Sequence, residues 1–358
     1  MAKFALRLEA RPAPSRLMSW LSPVLAVLLT VLCGALLFIA LGHDPLAGLA
    51  VFFVEPLRDA HGWSELGLKV APLLLIAVGL AICFRANIYN IGAEGQLTLG
   101  AICGGAAALY LDDGIGGAAI IGVSLLAGMA GGMAWAGLVA WLRDRYNASE
   151  ILVSLMLVYI AQLLLSYLVY GVLRDPEGFN FPQSKLLSDG LLLPMVISDT
   201  RLHVGIVFAL LASLGGWLYL SRSIAGFRLR VGGMAPAAAR YAGFSSRKTL
   251  WSSLLICGAL SGLAGACEVL GPMGQLTPTV SPGYGFAAII VAFVGRLHPV
   301  GVIFSSFVMA LFYIGGELAQ SRLGLPSAIT GVFQGILLFA LLACDVLIQY
   351  KLRWRKHG

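Results

Sequence analysis

A run of polar side chains interrupts the apolar sequence between residues 84 and 100, which reads FRANIYNIGAEGQLTLG. Within a membrane such groups need partners or water, because hydrocarbon neither donates nor accepts hydrogen bonds. Gly92 and Gly95 allow the backbone to leave helical geometry, which a membrane tolerates only inside protein or around a cavity. The stretch is therefore predicted to line a substrate path. A simpler interpretation is a short cytoplasmic loop whose Arg85 reaches the lipid headgroups.

The residue types suit a neutral ligand that forms hydrogen bonds. Asn90, Gln96 and Gln275 offer amides, and Glu94 can accept hydrogen bonds from sugar hydroxyls or purine N–H groups. Three aromatic rings can stack on a base, namely Tyr89, Tyr284 and Phe286. Packing within a helix bundle is the alternative role for these rings. A phosphorylated ligand is disfavoured, because no basic cluster accompanies these residues in the sequence.

The composition is that of a membrane protein. Hydrophobic residues make up 59% of the 358 residues and charged residues 11%, against about 25% charged residues in soluble domains. Several apolar runs reach the roughly 20 residues that a spanning helix needs. The net charge of +7 is concentrated in segments that alternate across the membrane, which is the positive-inside pattern and not a nucleic-acid surface. The sequence predicts an all-α polytopic membrane protein.

Residues with catalytic or metal-binding potential are scattered. The six cysteines lie in apolar runs without a Cys-x-x-Cys pair, and the five histidines are dispersed, so neither disulfides nor a metal site is predicted. The sequence contains no phosphate-binding Gly-x-x-x-x-Gly-Lys-Ser/Thr loop, no His-Glu-x-x-His and no Gly-x-Ser-x-Gly motif. We therefore predict no enzyme and no cofactor in this chain, and any ATP and Mg²⁺ would be bound by a partner.

Ten apolar segments predict about ten transmembrane helices, with both termini cytoplasmic by the distribution of Lys and Arg. They are residues 23–41, 70–84, 97–110, 117–142, 151–172, 204–220, 251–270, 286–294, 300–314 and 327–347. Residues 43–69, 112–114 and 174–203 are predicted to be external. Residues 143–145 and the basic segment 221–249 are predicted to be cytoplasmic.

The single transmembrane domain is predicted to contain an internal repeat. Residues 70–173 and 250–348 each hold a span, a glycine-rich polar interruption, a short span and two longer ones. The first unit begins outside and the second inside, so they would be inverted copies. Interrupted helices at matching positions of inverted halves indicate a transport site. The interruptions at 87–96 and 271–285 are therefore predicted to approach each other.

The basic segment contains a short predicted helix. Pro236 suits a first helical position, the alanines after it favour helix, and Gly243 suits the C-terminal end. This helix would stand clear of the membrane and present Arg240 and Tyr241 side by side. A solvated loop needs no such helix, whereas a docking site for a cytoplasmic partner does.

Three blocks resemble the permease subunits of ABC importers for nucleosides and simple sugars, which are related to ribose-type permeases. They are NIGAEGQLTLGA (90–101), GGMAPAAARYAGF (232–244) and GYGFAAIIVAFVGRLHPVG (283–301). The resemblance covers residues 60–345, and the first block is similar to the nucleoside branch. It implies ATPase subunits on the coupling helix, a second homologous permease, a periplasmic or lipoprotein substrate-binding protein, and a bacterial inner membrane. Ala235 departs from the pattern, since family members often carry Asn there.

The predicted function is a translocation subunit that moves a nucleoside, and a purine nucleoside in particular, into the cytoplasm by alternating access. Partner ATPase subunits would drive the movement. One alternative is import of ribose or another simple sugar. Another is a secondary transporter driven by ions, with which inverted repeats and the acidic residues Glu94, Glu268 and Glu317 are compatible. An ion-driven carrier requires no docking helix, which speaks against it.

Overall fold

The computed structural model describes residues 4–11, 15–111 and 117–356. Strand β1 (Phe4–Ala10) pairs antiparallel with β2 (Tyr350–Lys356), a pairing that the sequence does not predict. The remaining regular elements of the described structure are helices, which confirms the all-α class. The helices are α1 (Arg16–Ala40), α2 (Pro45–Leu49), α3 (Ala60–Arg85), α4 (Ala93–Leu111), α5 (Gly117–Tyr146), α6 (Glu150–Tyr170), α7 (Gly205–Arg222), α8 (Ile224–Met234), α9 (Pro236–Tyr241), α10 (Ser246–Glu268), α11 (Tyr284–Val294), α12 (Pro299–Leu323) and α13 (Ile329–Gln349).

Each of the ten predicted spans corresponds to a helix, but only eight of those in the described residues are long and apolar enough to cross a membrane. The other two are α4 and α11, which follow the two interruptions. Glu94 and Gln96 in the first turn of α4 lower its hydropathy, and α11 has only 11 residues. The external turn predicted at 112–114 lies outside the described residues.

Helix α3 begins at Ala60, although the sequence predicts an external segment as far as residue 69. The early turns of the helix carry charged residues that find partners in the fold. Glu65 is buried and accepts two hydrogen bonds from Arg201, and the Lys69 ammonium lies 5.9 Å from the centre of the Tyr284 ring. Because these partners are distant in sequence, local polarity alone places the helix start too late.

The described chain divides into two compact units, of which the smaller comprises Met1–Gly62 and Leu311–Gly358. In this unit α1 packs against α13. A π-helical turn at Ala50–Val54 buries the Phe52 ring against the Phe333 ring, with centroids 4.3 Å apart. Glu55 and Arg322 form an ion pair at 2.6 Å. Phe52 thus contributes to a packed aromatic core, while Leu46 and Val54 in the same segment remain exposed.

The larger unit, Trp63–Ala310, contains both interruptions. Its centre is a close contact of α4, α5 and α10. A Cβ atom at Gly262 would overlap the carbonyl oxygen of Gly128, and one at Gly265 would overlap that of Leu97. Small residues allow this backbone approach, as is common where helices associate in lipid. Gly128 and Gly132 in the glycine- and alanine-rich segment 117–142 are part of this close contact.

Candidate functional site

The first interruption is residues 86–92, between α3 and α4. Asn90 is fully buried, and its Oδ1 accepts a hydrogen bond from the Gly92 N–H at 3.0 Å. Its Nδ2 donates to Gln96 Oε1 and to Cys257 Sγ, both at 3.2 Å, while Gln96 Nε2 donates back to Asn90 Oδ1 at 3.3 Å. Two predicted ligand-binding amides are therefore paired with each other. In this conformation they stabilise the non-helical backbone.

Glu94 joins the two interruptions. Its side chain is buried, and its Oε2 accepts a hydrogen bond from the Gly285 N–H at 2.6 Å. At the same turn, the Gly283 and Tyr284 N–H groups donate to Ser281 Oγ at 3.1 and 3.0 Å. A Cβ atom at Gly285 would overlap the Glu94 backbone, so only glycine fits this approach. The carboxylate thus caps the N-terminus of α11, where the helix dipole favours negative charge. The interruptions meet as the sequence predicts.

The second interruption runs from the end of α10 to the start of α11. A π-helical turn at Val269–Met273 leads to Gly274 and later to Gly283, both in left-handed backbone conformations with φ of +63° and +93°. Tyr284 is buried at the first position of α11, and Gln275 is half-buried. Phe286 is exposed over 39% of its surface and Tyr89 over 40%. Among the residues predicted to bind the ligand, Phe286, Tyr89 and Gln275 therefore retain accessible surface.

The sequence does not single out Lys69 as a site residue, and considers Glu268 only for ion coupling. Glu268 ends α10, is buried, and is under the electrostatic influence of the Lys69 ammonium. Together with the Tyr284 ring these residues form a charged cluster beside the second interruption. An ionisable residue within a long apolar helix indicates a functional site. Lys69 was missed because the sequence predicts that the span begins at residue 70, one position after it.

The α6–α7 loop, residues 171–204, lies against the second interruption. His203 near its end is buried, and its Nδ1 accepts a hydrogen bond from the Gly205 N–H at 3.0 Å. Its ring packs so closely on Gly271 that a Cβ atom there would lie 2.7 Å from Nε2. Burial lowers the pKa of His203 to about 4. The ring is therefore neutral at physiological pH.

Acidification is expected to loosen the contact of His203. The unfolded chain takes up the proton near pH 6.5 and the folded chain only near pH 4. The stabilisation is thus complete above pH 6.5 and is lost progressively as the pH falls toward 4. Between pH 6.5 and 5.0 the loss is about 2 kcal/mol. Thermal unfolding in detergent at pH 6.5 and pH 5.0 measures this loss of stability. His203→Asn retains an acceptor without the proton uptake and should show a shallower pH slope; equal slopes would contradict the assignment.

The basic segment forms two helices where the sequence predicts one. Helix α8 (Ile224–Met234) precedes α9 (Pro236–Tyr241), which begins with its proline and is followed by Gly243 at φ +75°. As the departure at Ala235 leads us to expect, no side chain caps the N-terminus of α9. Arg240 is exposed, and Tyr241 is exposed over 97% of its surface.

A cavity of about 380 Å³ lies beside α9. Its walls come from the start of the first interruption at residues 86–88, from the ends of α5 and α8, from α9 and from the start of α10. At its rim Asp144 accepts hydrogen bonds from Arg247 Nε at 2.7 Å and from Trp251 Nε1 at 3.1 Å. This cluster fixes the end of α5 to the start of α10.

Apolar helices with two interruptions that meet are the features of a protein that moves solutes across a membrane. Residues 64–342 match the family described as the permease component of branched-chain amino acid transport systems, and the chain belongs to this family. It is a multi-pass transmembrane subunit of an ABC transporter and not an enzyme; the ATPase is a separate subunit. This membership does not support the alternative of an ion-driven carrier.

Characterised relatives differ in their named solutes. The chain is 32% identical to the glucose ABC transporter permease protein TsgB13 of Haloferax volcanii, with 97% of this chain and 93% of the relative covered. It is 31% identical to the guanosine ABC transporter permease protein NupP of Bacillus subtilis, with coverage of 90% and 93%. A second guanosine permease of B. subtilis, NupQ, is 29% identical, with coverage of 69% and 80%.

Proposed function

We propose that this chain carries a nucleoside, with purine nucleosides preferred, from the outside into the cytoplasm of a bacterium. The proposal is based on the similarity of the chain to two guanosine permeases of one organism, NupP and NupQ. The block at Asn90–Ala101, which resembles the nucleoside branch, supports the same substrate class. Alternating access between the two faces of the membrane would move the solute past the meeting point of the interruptions.

The side chains at this meeting point suit such a ligand. Gln275 is half-buried and has an amide that can both donate and accept hydrogen bonds. The partly exposed rings of Tyr89 and Phe286 offer faces on which a base can stack. The buried residues Asn90, Gln96 and Glu94 form the support of this surface, and in a second conformation they would exchange their present partners for the ligand.

A simple sugar is the second candidate. The similarity to TsgB13, a glucose permease, covers 97% of this chain and favours it. A sugar would use the same amides but would gain less from the aromatic rings, because it lacks a planar base. Uptake by the full complex in proteoliposomes distinguishes the two: radiolabelled guanosine, adenosine, ribose and glucose are compared under one set of conditions. Saturable guanosine uptake that excess glucose does not inhibit supports the nucleoside, and the reverse pattern overturns it.

We further propose that ATPase subunits dock on α9 through Arg240 and Tyr241, with Pro236 and Gly243 defining the ends of the helix. Both side chains project from a short helix whose opposite face, at Ala239, is buried. The adjoining Asp144 cluster would transmit ATP-driven movement to α5 and α10. ATP and Mg²⁺ would be held by those subunits.

Reversing the charge of Arg240 is expected to lower uptake at least tenfold. Arg240→Glu places an acid where the docking partner meets a cation, and like charges across an interface are strongly unfavourable. Uptake and ATP hydrolysis by the reconstituted complex are measured together. Lys248→Glu, an exposed residue of the same basic segment outside α9, is the matched control and should retain uptake. Equal uptake by both variants would show that ATPase subunits do not dock through Arg240 of α9.

The remaining partners follow from the same proposal. A second, homologous permease would complete the pathway, as the two related permeases NupP and NupQ of one organism suggest. A periplasmic or lipoprotein binding protein would deliver the substrate at the opposite face from α9. The inner membrane would hold the complex with both termini and residues 221–249 in the cytoplasm. A single cysteine at Ser246 should then be labelled only after permeabilisation.

A further inference from the structure

The α6–α7 loop runs from residue 171 to residue 204 with only one 3₁₀ turn, at Asp189–Leu191. Loops above roughly 12–15 residues without secondary structure of their own are uncommon and are often functional. This loop lies at the end of α10 that is opposite to α9, since α10 starts beside Asp144 and ends beside the loop. It therefore borders the proposed path at the face where solute would enter.

The loop forms backbone hydrogen bonds along the second interruption. The Ser184 N–H donates to the Leu276 carbonyl at 2.9 Å, and the Leu276 N–H donates to Ser184 Oγ at 2.8 Å. The Leu187 N–H donates to the Gly274 carbonyl at 2.8 Å, and the Leu193 N–H to the Leu270 carbonyl at 2.8 Å. The backbone groups that the broken helix leaves without helical partners are thus satisfied by the loop.

Packing and charge hold the loop in place. Three of its leucines, Leu187, Leu191 and Leu193, are buried. Near its far end Arg201 forms a bidentate pair with Glu65 of α3, with Nε and Nη2 at 3.0 and 2.6 Å from the carboxylate oxygens. The Arg201 side chain remains 61% exposed, so water can take over these hydrogen bonds when the pair separates.

Two parts of the loop differ in character. Residues 184–193 form hydrogen bonds with the interruption, whereas Phe179 and Phe181 before them are exposed over 93% and 64% of their surfaces. Gln275 lies between Gly274 and Leu276, two of the interruption residues to which the loop is hydrogen-bonded. The position of this candidate ligand-binding amide therefore depends on the loop.

We propose that the α6–α7 loop closes the transport path at the face opposite α9, and that Ser184 is a positioning residue that holds Gln275 through Leu276. The loop must separate from the second interruption in each transport cycle for solute to reach Gln275, and it then closes again so that the contact of Ser184 with Leu276 holds Gln275 against the bound solute. The proposal rests on the assignment of the interruptions as the path, and it adds the element that closes that path.

A reversible cross-link tests the closure. Ser184→Cys and Leu276→Cys are combined in a variant whose native cysteines are replaced, and copper phenanthroline oxidises the two thiols to a disulfide with transfer of two electrons to the oxidant. We expect the oxidised complex to lose at least 90% of its uptake, and dithiothreitol to restore it. Each single-cysteine variant should be insensitive to the oxidant. Full uptake by the cross-linked complex would overturn the proposal.

ATP hydrolysis separates failure of the closure from failure of the proposed substrate. If the unmodified complex takes up no guanosine, the nucleoside assignment fails. The loop is then tested by whether the cross-link changes ATP hydrolysis by the complex, and unchanged hydrolysis overturns the closure.

Ser184→Ala should raise the apparent KM several-fold at an unchanged amount of folded protein, and Ser184→Thr should restore it. Ser198→Ala, an exposed serine of the same loop, is the control; a KM effect equal to that of Ser184→Ala would contradict positioning.

Discussion

Replacing Glu94 with leucine is expected to abolish uptake and to reduce the amount of folded protein. The substitution leaves the Gly285 N–H without an acceptor in a buried site. An unsatisfied buried group costs about 1–3 kcal/mol, and the start of α11 loses stabilisation of that size. Thermal unfolding in detergent and uptake normalised to folded protein measure the two effects.

Glu94→Gln separates support of α11 from contact with the substrate. Glutamine keeps an oxygen that can accept from the Gly285 N–H but removes the charge, so we expect a folded protein. If Glu94 also binds the ligand, uptake per folded molecule falls several-fold in this variant; if it only supports the helix, uptake is retained. A Glu94→Leu variant that folds normally and transports fully would show that neither role is required.

Replacing Gly262 with leucine is expected to prevent folding altogether. A Cβ atom at this position overlaps the Gly128 carbonyl oxygen on α5, and the backbone on both sides has no flexible side chain that could move aside. Ordinary overpacking costs about 1–3 kcal/mol. A side chain that forces two helices apart exceeds this, because the whole contact of α5 with α10 is lost.

Gly122→Leu provides the matched control for Gly262→Leu. Gly122 lies on α5, and a Cβ atom there meets no atom within 4 Å. The same change of residue type should therefore leave the yield and the unfolding temperature close to those of the parent. Monodispersity in size-exclusion chromatography after detergent extraction compares the two. A folded Gly262→Leu protein would mean that α5 and α10 can separate without loss of the fold.

Local sequence properties account for most of the architecture. Runs of apolar residues locate the helices, because transfer of their side chains from water into lipid depends on composition alone. Glycines beside polar residues locate the two breaks for the same local reason, although the first ends at residue 92 and not at the predicted 96. The motif blocks led to the correct family. The first residue of α9 also followed from the sequence, since proline has a fixed φ and lacks an N–H.

The partners of the polar residues were decided only by the tertiary structure. Glu94 accepts from Gly285, which lies 191 positions away, and Asn90 donates to Cys257, which lies 167 positions away. The early start of α3 depends in the same way on Arg201, 136 positions from Glu65. A polar side chain in an apolar sequence has to be satisfied, but its own neighbours do not specify which distant group will satisfy it. That choice is made when the helices pack, because burial makes each unpaired group costly and brings distant groups within hydrogen-bonding distance.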